Sequence, residues 1–68
     1  MSIGDNIKKR REQLGRSQTD IAEQAGVTQA MMGYIEQGKR MPSLQTAAWI
    51  AEALDCSLDE LVNGGKRE

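Results

Sequence analysis

Ser17-Gln18-Thr19-Asp20-Ile21-Ala22-Glu23-Gln24-Ala25-Gly26-Val27-Thr28-Gln29-Ala30-Met31-Met32-Gly33-Tyr34-Ile35-Glu36 is the stretch on which the fold turns. Two short segments flank the turn Ala25-Gly26-Val27-Thr28. Ile21, Ala22 and Ala25 repeat at helical spacing in the first, and Met32 and Ile35 in the second, so each presents one apolar face. Ser17 and Thr28 stand where a side-chain oxygen caps a helix by accepting a bond from a free backbone N–H. Gly26 allows a sharp bend, because a residue without Cβ tolerates positive φ. Val27 is apolar inside the turn and is placed to plug the gap between the two helices. Ala22, four residues before Gly26, permits their close approach.

The same punctuation continues on both sides. Ser2, Ser43 and Ser57 are further candidate N-caps. Ser57-Leu58-Asp59-Glu60 is a capping box, and Ser17-Gln18-Thr19-Asp20 is its acidic variant. Gly15, Gly38 and Asn63-Gly64 are placed to end helices in a left-handed residue, as Gly26 is. Pro42 cannot continue a helix that precedes it. No window alternates as a strand does, and at 3% aromatic residues the chain has little from which to build a sheet. The spacing predicts helices near 3–14, 18–25, 29–37, 44–54 and 58–62. Their expected core stripes are Ile3, Ile7 and Leu14; Ile21, Ala22 and Ala25; Met32 and Ile35; Leu44, Ala47, Ile50, Ala51 and Leu54; and Leu58, Leu61 and Val62. The expected fold is all-α, with one domain over 1–63 and a flexible tail over 64–68.

Composition narrows the function. A chain of 68 residues holds one domain with a small core and little room for a catalytic cleft. It has no histidine and a single cysteine, Cys56, which argues against a disulfide framework and against a structural zinc site. Cys56 is expected to be a buried small apolar residue rather than a redox switch. No cysteine sits beside a plausible base. Gly64-Gly65 lies in a charged tail with no helix after it, so no phosphate-binding glycine loop is present. No enzyme activity, metal, cofactor or small-molecule ligand is expected. Neither a membrane-spanning run nor the apolar core of a secretory signal appears, so the expected location is cytoplasmic, on the nucleoid when DNA is bound. The net charge is only −1, but it is polarised. Residues 1–40 hold seven basic against five acidic side chains, and residues 41–68 hold two against five. The front is therefore basic and the back acidic.

The helix, turn and helix of residues 17–36 match the helix-turn-helix pattern, whose second helix enters the DNA major groove. The wider order of residues extends the match. It runs through Ile7…Arg11…Leu14-Gly15, Ser17-Gln18…Ile21-Ala22, Ala25-Gly26-Val27-Thr28 and Ile35-Glu36…Gly38-Lys39-Arg40…Pro42-Ser43-Leu44. It continues through Ile50-Ala51-Glu52-Ala53-Leu54…Ser57-Leu58-Asp59-Glu60-Leu61. Over residues 4–62 the chain resembles the XRE family of phage repressors, Cro proteins and their bacterial relatives. The resemblance implies a five-helix repressor-like domain that binds specific double-stranded DNA and regulates transcription. Repression is the default expectation, because a bound domain this small can block polymerase.

Residue roles follow in part from geometry and in part from the resemblance. At about 100° per residue, Met32 and Ile35 point one way, while Gln29, Ala30, Gly33, Tyr34 and Gln37 spread over the opposite arc. In the family the first turn of this helix contacts bases, which points to Thr28, Gln29 and Ala30. Gln29 can pair with adenine N6 and N7, and Ala30 can touch a thymine methyl. Gly33 allows close approach, and Tyr34 reaches a phosphate or the groove wall. The resemblance gives Gln18, Lys39 and Arg40 phosphate contacts, with Gln37 beside them. Arg11 lies on the buried stripe and needs a partner; the family pattern supplies Glu36. The family pattern is departed from at Arg16, where an apolar residue is usual, and at Asp55, where glycine is usual.

Trp49 falls on the far side of the fourth helix, where relatives carry a polar residue. With Ala53 and with Leu58 of the fifth helix it suggests the interface of a two-fold homodimer. Such a dimer would set two recognition helices about 34 Å apart on a palindromic operator. The competing reading is a protein-binding module, antitoxin-like or anti-repressor, that uses the Trp49 surface and the acidic back. With no second domain expected, control would come from concentration, dimerisation or a partner protein.

Overall fold

Four serines and one threonine start the helices. The computed structural model describes residues 2–64, which form α1 (Ile3–Gln13), α2 (Gln18–Ala25), α3 (Gln29–Glu36), α4 (Leu44–Ala53) and α5 (Leu58–Asn63). The side-chain oxygens of Ser2, Ser17, Thr28, Ser43 and Ser57 each accept the backbone N–H three residues on. Full capping boxes form at Ser2–Asp5, Ser17–Asp20 and Ser57–Glu60. Each cap satisfies donors that a helix start otherwise leaves bare. The chain is all-helical among the described residues, and the expected boundaries hold to within one residue. Of the expected tail 64–68, only Gly64 is among the described residues, and it caps α5; 65–68 lie outside them.

The turn between α2 and α3 is made as its sequence requires. Gly26 takes φ 77°, in the left-handed region, and Val27 N–H then donates to Ala22 O at 2.9 Å. Val27 is half-buried against the core. After α4 the left-handed position falls to Asp55, at φ 55°. A residue with a Cβ is disfavoured there by roughly 1–2 kcal/mol, although aspartate is among the more tolerant types. Arg10 compensates from across the fold: its Nε donates to Leu54 O at 3.0 Å and its Nη2 to Asp55 O at 3.1 Å. These are the carbonyls of the C-cap of α4 and of the residue after it.

Each helix sends at least one large side chain to a common centre. Ile7, Ile21, Met32, Ile35, Ile50, Leu54 and Leu61 are fully buried. Ala22, Ala25, Ala47 and Ala51 fill the gaps where α2 packs against α4. α1 lies across α3 and α5, and Asn6 Nδ2 donates to Leu61 O at 2.6 Å to join α1 to α5.

Three expected core residues are exposed instead. Leu44 is 75% exposed because it is the first residue of α4 and projects past the body it should pack on. Leu14 caps the end of α1 and overhangs the core in the same way. Val62 lies about 100° round α5 from the buried Leu61, so it faces outward. Helical spacing gives direction, but it does not say where the neighbouring helix stops.

At Gly4, α1 comes close to the backbone of α3. A Cβ there would run into the carbonyl oxygen of Ile35, so α1 can cross α3 at this height only on a glycine. Alanine elsewhere in a helix gains about 1 kcal/mol over glycine. Here we expect the reverse: Gly4→Ala should lower the unfolding free energy by about 2 kcal/mol, within the range for overpacked cores. Urea denaturation checks this. A variant as stable as the parent would mean that α1 can move off α3 without loss.

Candidate nucleic-acid interface

The outer face of α3 stands on a buried ion pair. Arg11 Nε donates to Glu36 Oε2 at 2.7 Å and Nη2 to Glu36 Oε1 at 3.0 Å, a two-point contact between α1 and α3. The Glu36 side chain is 2% exposed and that of Arg11 is 12% exposed. A pair so dry is kept only when its remaining hydrogen-bonding capacity is met. Arg11 Nη1 donates to Arg16 O at 2.8 Å, which holds the α1–α2 loop. Gln18 Nε2 donates to Glu36 Oε1 at 3.0 Å. The hydrogen bonds to Glu36 raise the Arg11 pKa above its ordinary value, while burial pulls the other way.

The network then reaches the surface. Gln29 Nε2 donates to Gln18 Oε1 at 2.7 Å, so the chain Arg11–Glu36–Gln18–Gln29 runs from α1 to the first turn of α3. An amide NH₂ has two donors and its carbonyl oxygen accepts. Gln29 therefore keeps one N–H and its oxygen for a ligand, the set that a two-point pair with an adenine edge requires. Gln18 is half-buried and likewise keeps one N–H.

The other expected contact residues take distinct places. Thr28 is exposed at the start of α3, where its oxygen accepts Met31 N–H at 3.0 Å and its O–H proton stays available. Ala30, Tyr34 and Gln37 are exposed. Gly33 differs from its expected exposure: it is buried, because the Gln18 and Gln29 amides lean over it. Lys39 and Arg40 are exposed, and their backbone N–H groups both donate to Tyr34 O, at 2.9 and 3.3 Å. Their backbone is thus tied to the end of α3. Among the described residues neither side chain makes a hydrogen bond or an ion pair, so both cations are available.

Trp49 is 47% exposed on α4. Ala53 is half-buried on the same face and packs against the core. Leu58 is half-buried too, but it lines a shallow groove with Ala48 and Glu52 rather than with Trp49. Cys56 also lines that groove. Burial pushes its thiol pKa up and Glu60 adds to the rise, so it stays a protonated, weak nucleophile at neutral pH.

Arg10, Asn6 and Gly4 tie or fit α1 to the end of α4, to α5 and to α3, and none stood out in the sequence. Arg10 neighbours the residue that signals a buried cation, Arg11, but its acceptors are backbone carbonyls, which leave no residue-type signature. Among the described residues, no group of three or more metal-ligating side chains converges and no helix is long and apolar enough to cross a membrane.

The helix-turn-helix family model matches residues 7–61. An uncharacterized HTH-type transcriptional regulator of Bacillus subtilis, YqaE, is 36% identical over 97% of this chain, which spans 57% of that protein. The chain likewise spans little more than half of the next curated relatives it matches. The P22 c2 repressor solved with a synthetic operator superposes with a TM-score of 0.87 at 26% identity, covering 94% of this chain and 97% of the other. SinR, a master regulator for biofilm formation solved in complex with DNA, superposes at 0.82 with 35% identity, covering 87% and 95%.

The geometry carries a stability prediction. Glu36→Ala takes the carboxylate from the part-buried Arg11 guanidinium and the Gln18 amide together. We expect a loss of about 3 kcal/mol in urea unfolding, typical when one partner of a buried pair is removed. A loss below about 1 kcal/mol would show that the pair contributes no more than an exposed one.

Proposed function

The chain belongs to the helix-turn-helix family, and from this membership we propose that it is a sequence-specific double-stranded DNA-binding regulator of transcription, a repressor that reads the major groove with α3. The observation that carries the reading is the Gln29 amide, held by Gln18, which Glu36 holds in turn, yet left with a donor and an acceptor for a ligand. A side chain already fixed before binding loses less entropy on contact. The structural likeness to regulators solved on DNA supports the same conclusion. In this reading Thr28, Gln29, Ala30, Gly33 and Tyr34 face base edges, while Gln18, Gln37, Lys39 and Arg40 hold phosphates. The protein is cytoplasmic, has no catalytic task and needs no cofactor. The phosphate contacts set register and the base contacts set sequence.

The partner copy is the second part of the proposal. Trp49, Ala53 and Leu58 form the contact in a two-fold dimer, which reads a palindrome. The half-exposed indole supports this, since a large aromatic surface beside small residues anchors interfaces well.

Selection of bound duplexes from a random pool tests the DNA reading. A palindrome is expected. Gln29→Ala should then relax preference at one base step per half-site by about 1–3 kcal/mol. Lys39→Ala should weaken all sites alike and reduce the salt slope by about one. No enriched sequence, with only weak and salt-sensitive binding to DNA, would replace this function with recognition of a partner protein through the Trp49 surface. Sedimentation tests the dimer: Trp49→Ser should shift two chains per operator toward one. Unchanged stoichiometry would remove Trp49 from the interface.

A further inference from the structure

α5 ends on Asn63-Gly64, where Gly64 takes a left-handed φ of 68° and donates its N–H to Glu60 O. The same pair carries a second chemistry. The backbone nitrogen after an asparagine can attack the side-chain Cγ, and a following glycine, with no Cβ, leaves that nitrogen least hindered. Both residues are exposed, so water reaches them. The folded geometry holds the reacting groups apart. Asn63 Nδ2 donates to Asp59 Oδ1 at 2.8 Å, and the Gly64 nitrogen is engaged at Glu60 O. The ring that would form passes through Cα and Cβ of Asn63, so the nitrogen must eclipse Cβ, which a helical ψ prevents. The clamp on this turn is Asn6 of α1. Its Nδ2 donates to Leu61 O, and its Oδ1 lies 3.2 Å from where a Cβ on Gly64 would stand. That oxygen is buried and accepts no hydrogen bond, a cost set against the bond the same amide makes. α5 is the shortest helix among the described residues, and Leu61 is its one buried residue. A terminal turn so held opens more often than the core.

We propose that Asn63 is a modification site, converted to aspartate and isoaspartate through opening of the last turn of α5, with Asn6 as the clamp that sets the rate. The Gly64 nitrogen bonds to Asn63 Cγ, the Cγ–Nδ2 bond breaks, and ammonia leaves with the proton that the nitrogen loses. Water then opens the cyclic imide, and no oxidant or reductant takes part. Cleavage between Cγ and the nitrogen leaves aspartate in a normal chain. Cleavage between the Asn63 backbone carbonyl and the nitrogen leaves isoaspartate, whose chain runs through Cγ. Neither product rebuilds the turn. Aspartate gives up the Nδ2 donor and sets a carboxylate four residues from Asp59, at the negative end of the helix dipole. Isoaspartate adds a methylene to the backbone, which takes the Gly64 N–H out of register with Glu60 O. The change is therefore irreversible and marks chains whose α5 has opened.

Timed incubation of the full chain at mildly alkaline pH tests this, with and without enough urea to unfold it. Trypsin then releases the peptide 41–66, in which Asn63 is the only asparagine. Its mass shift and the separation of its aspartyl and isoaspartyl forms give the rate. The folded chain should convert roughly 30-fold more slowly than the unfolded one, the effect of two ordinary hydrogen bonds that must break first. Asn6→Ala should speed the folded reaction roughly 2–10-fold, the worth of one buried bond, and leave the rate in urea unchanged. Asn63→Gln should give no shifted peptide, and Asn63→Asp should lower Tm by roughly 4 °C. Equal rates with and without urea would overturn the gate, a reading that does not depend on any variant folding. An Asn6→Ala rate equal to the parent's would remove Asn6 as the clamp. No conversion of the folded chain by the time the unfolded chain has fully converted would overturn the site itself.

Discussion

Glu36 is the side chain on which the arrangement depends. Its buried carboxylate accepts from Arg11 of α1 and Gln18 of α2 while it sits on α3 itself. Three helices thus meet at two oxygens. An apolar residue in its place could fill the volume but could not orient anything. The carboxylate can, because hydrogen bonds have direction and a dry site punishes any arrangement that leaves a donor unmet. The order imposed at Glu36 passes through Gln18 to Gln29, so a core interaction sets the angle of a surface amide. Stability and recognition share one network, and a change at its root is felt at its tip.

Most of the architecture was legible because it is written in local chemistry. A hydroxyl three residues before a free N–H marks a helix start whatever surrounds it, and all five starts lie where the serines and threonine place them. The buried faces of α2, α3 and α4 follow from their spacing in the same way. The expectations for Leu14 and Leu44 failed because burial needs a neighbour as well as a direction: both lie at helix ends, where spacing still points inward but the opposing surface has run out. Val62 failed on direction itself, since the residue beside it, Leu61, takes the inward place on α5.

The candidate site was legible in its parts and not in its connections. Gln18, Gln29, Arg11 and Glu36 were each identifiable, yet the bond between the two glutamines depends on how closely α2 and α3 approach. No single-residue pattern carries an interhelical distance. Gly33 and Gly4 make the point together. One is required by a backbone that comes too close, and the other lies under the ends of the Gln18 and Gln29 side chains, a difference that residue type does not show. The polarised charge was visible, but it marks only a side of the molecule. The two cations beside α3 are placed by hydrogen bonds from their own backbone to Tyr34 O, a detail of chain geometry that composition does not contain.

The bond from Asn6 to Leu61 O joins residues 55 apart in sequence. Almost the whole described chain must be gathered before it can close. The entropy of closing a loop grows slowly with its length, but it is still lost before the contact returns anything. The helix-turn-helix pair, by contrast, is built from neighbours and can close quickly. By chain separation alone, α2 and α3 are the pair expected to form early and α1 with α5 the pair expected late. In reverse, release of the short α5 also frees α1, whose Arg11 pairs with Glu36, so opening at α5 loosens the recognition helix from behind.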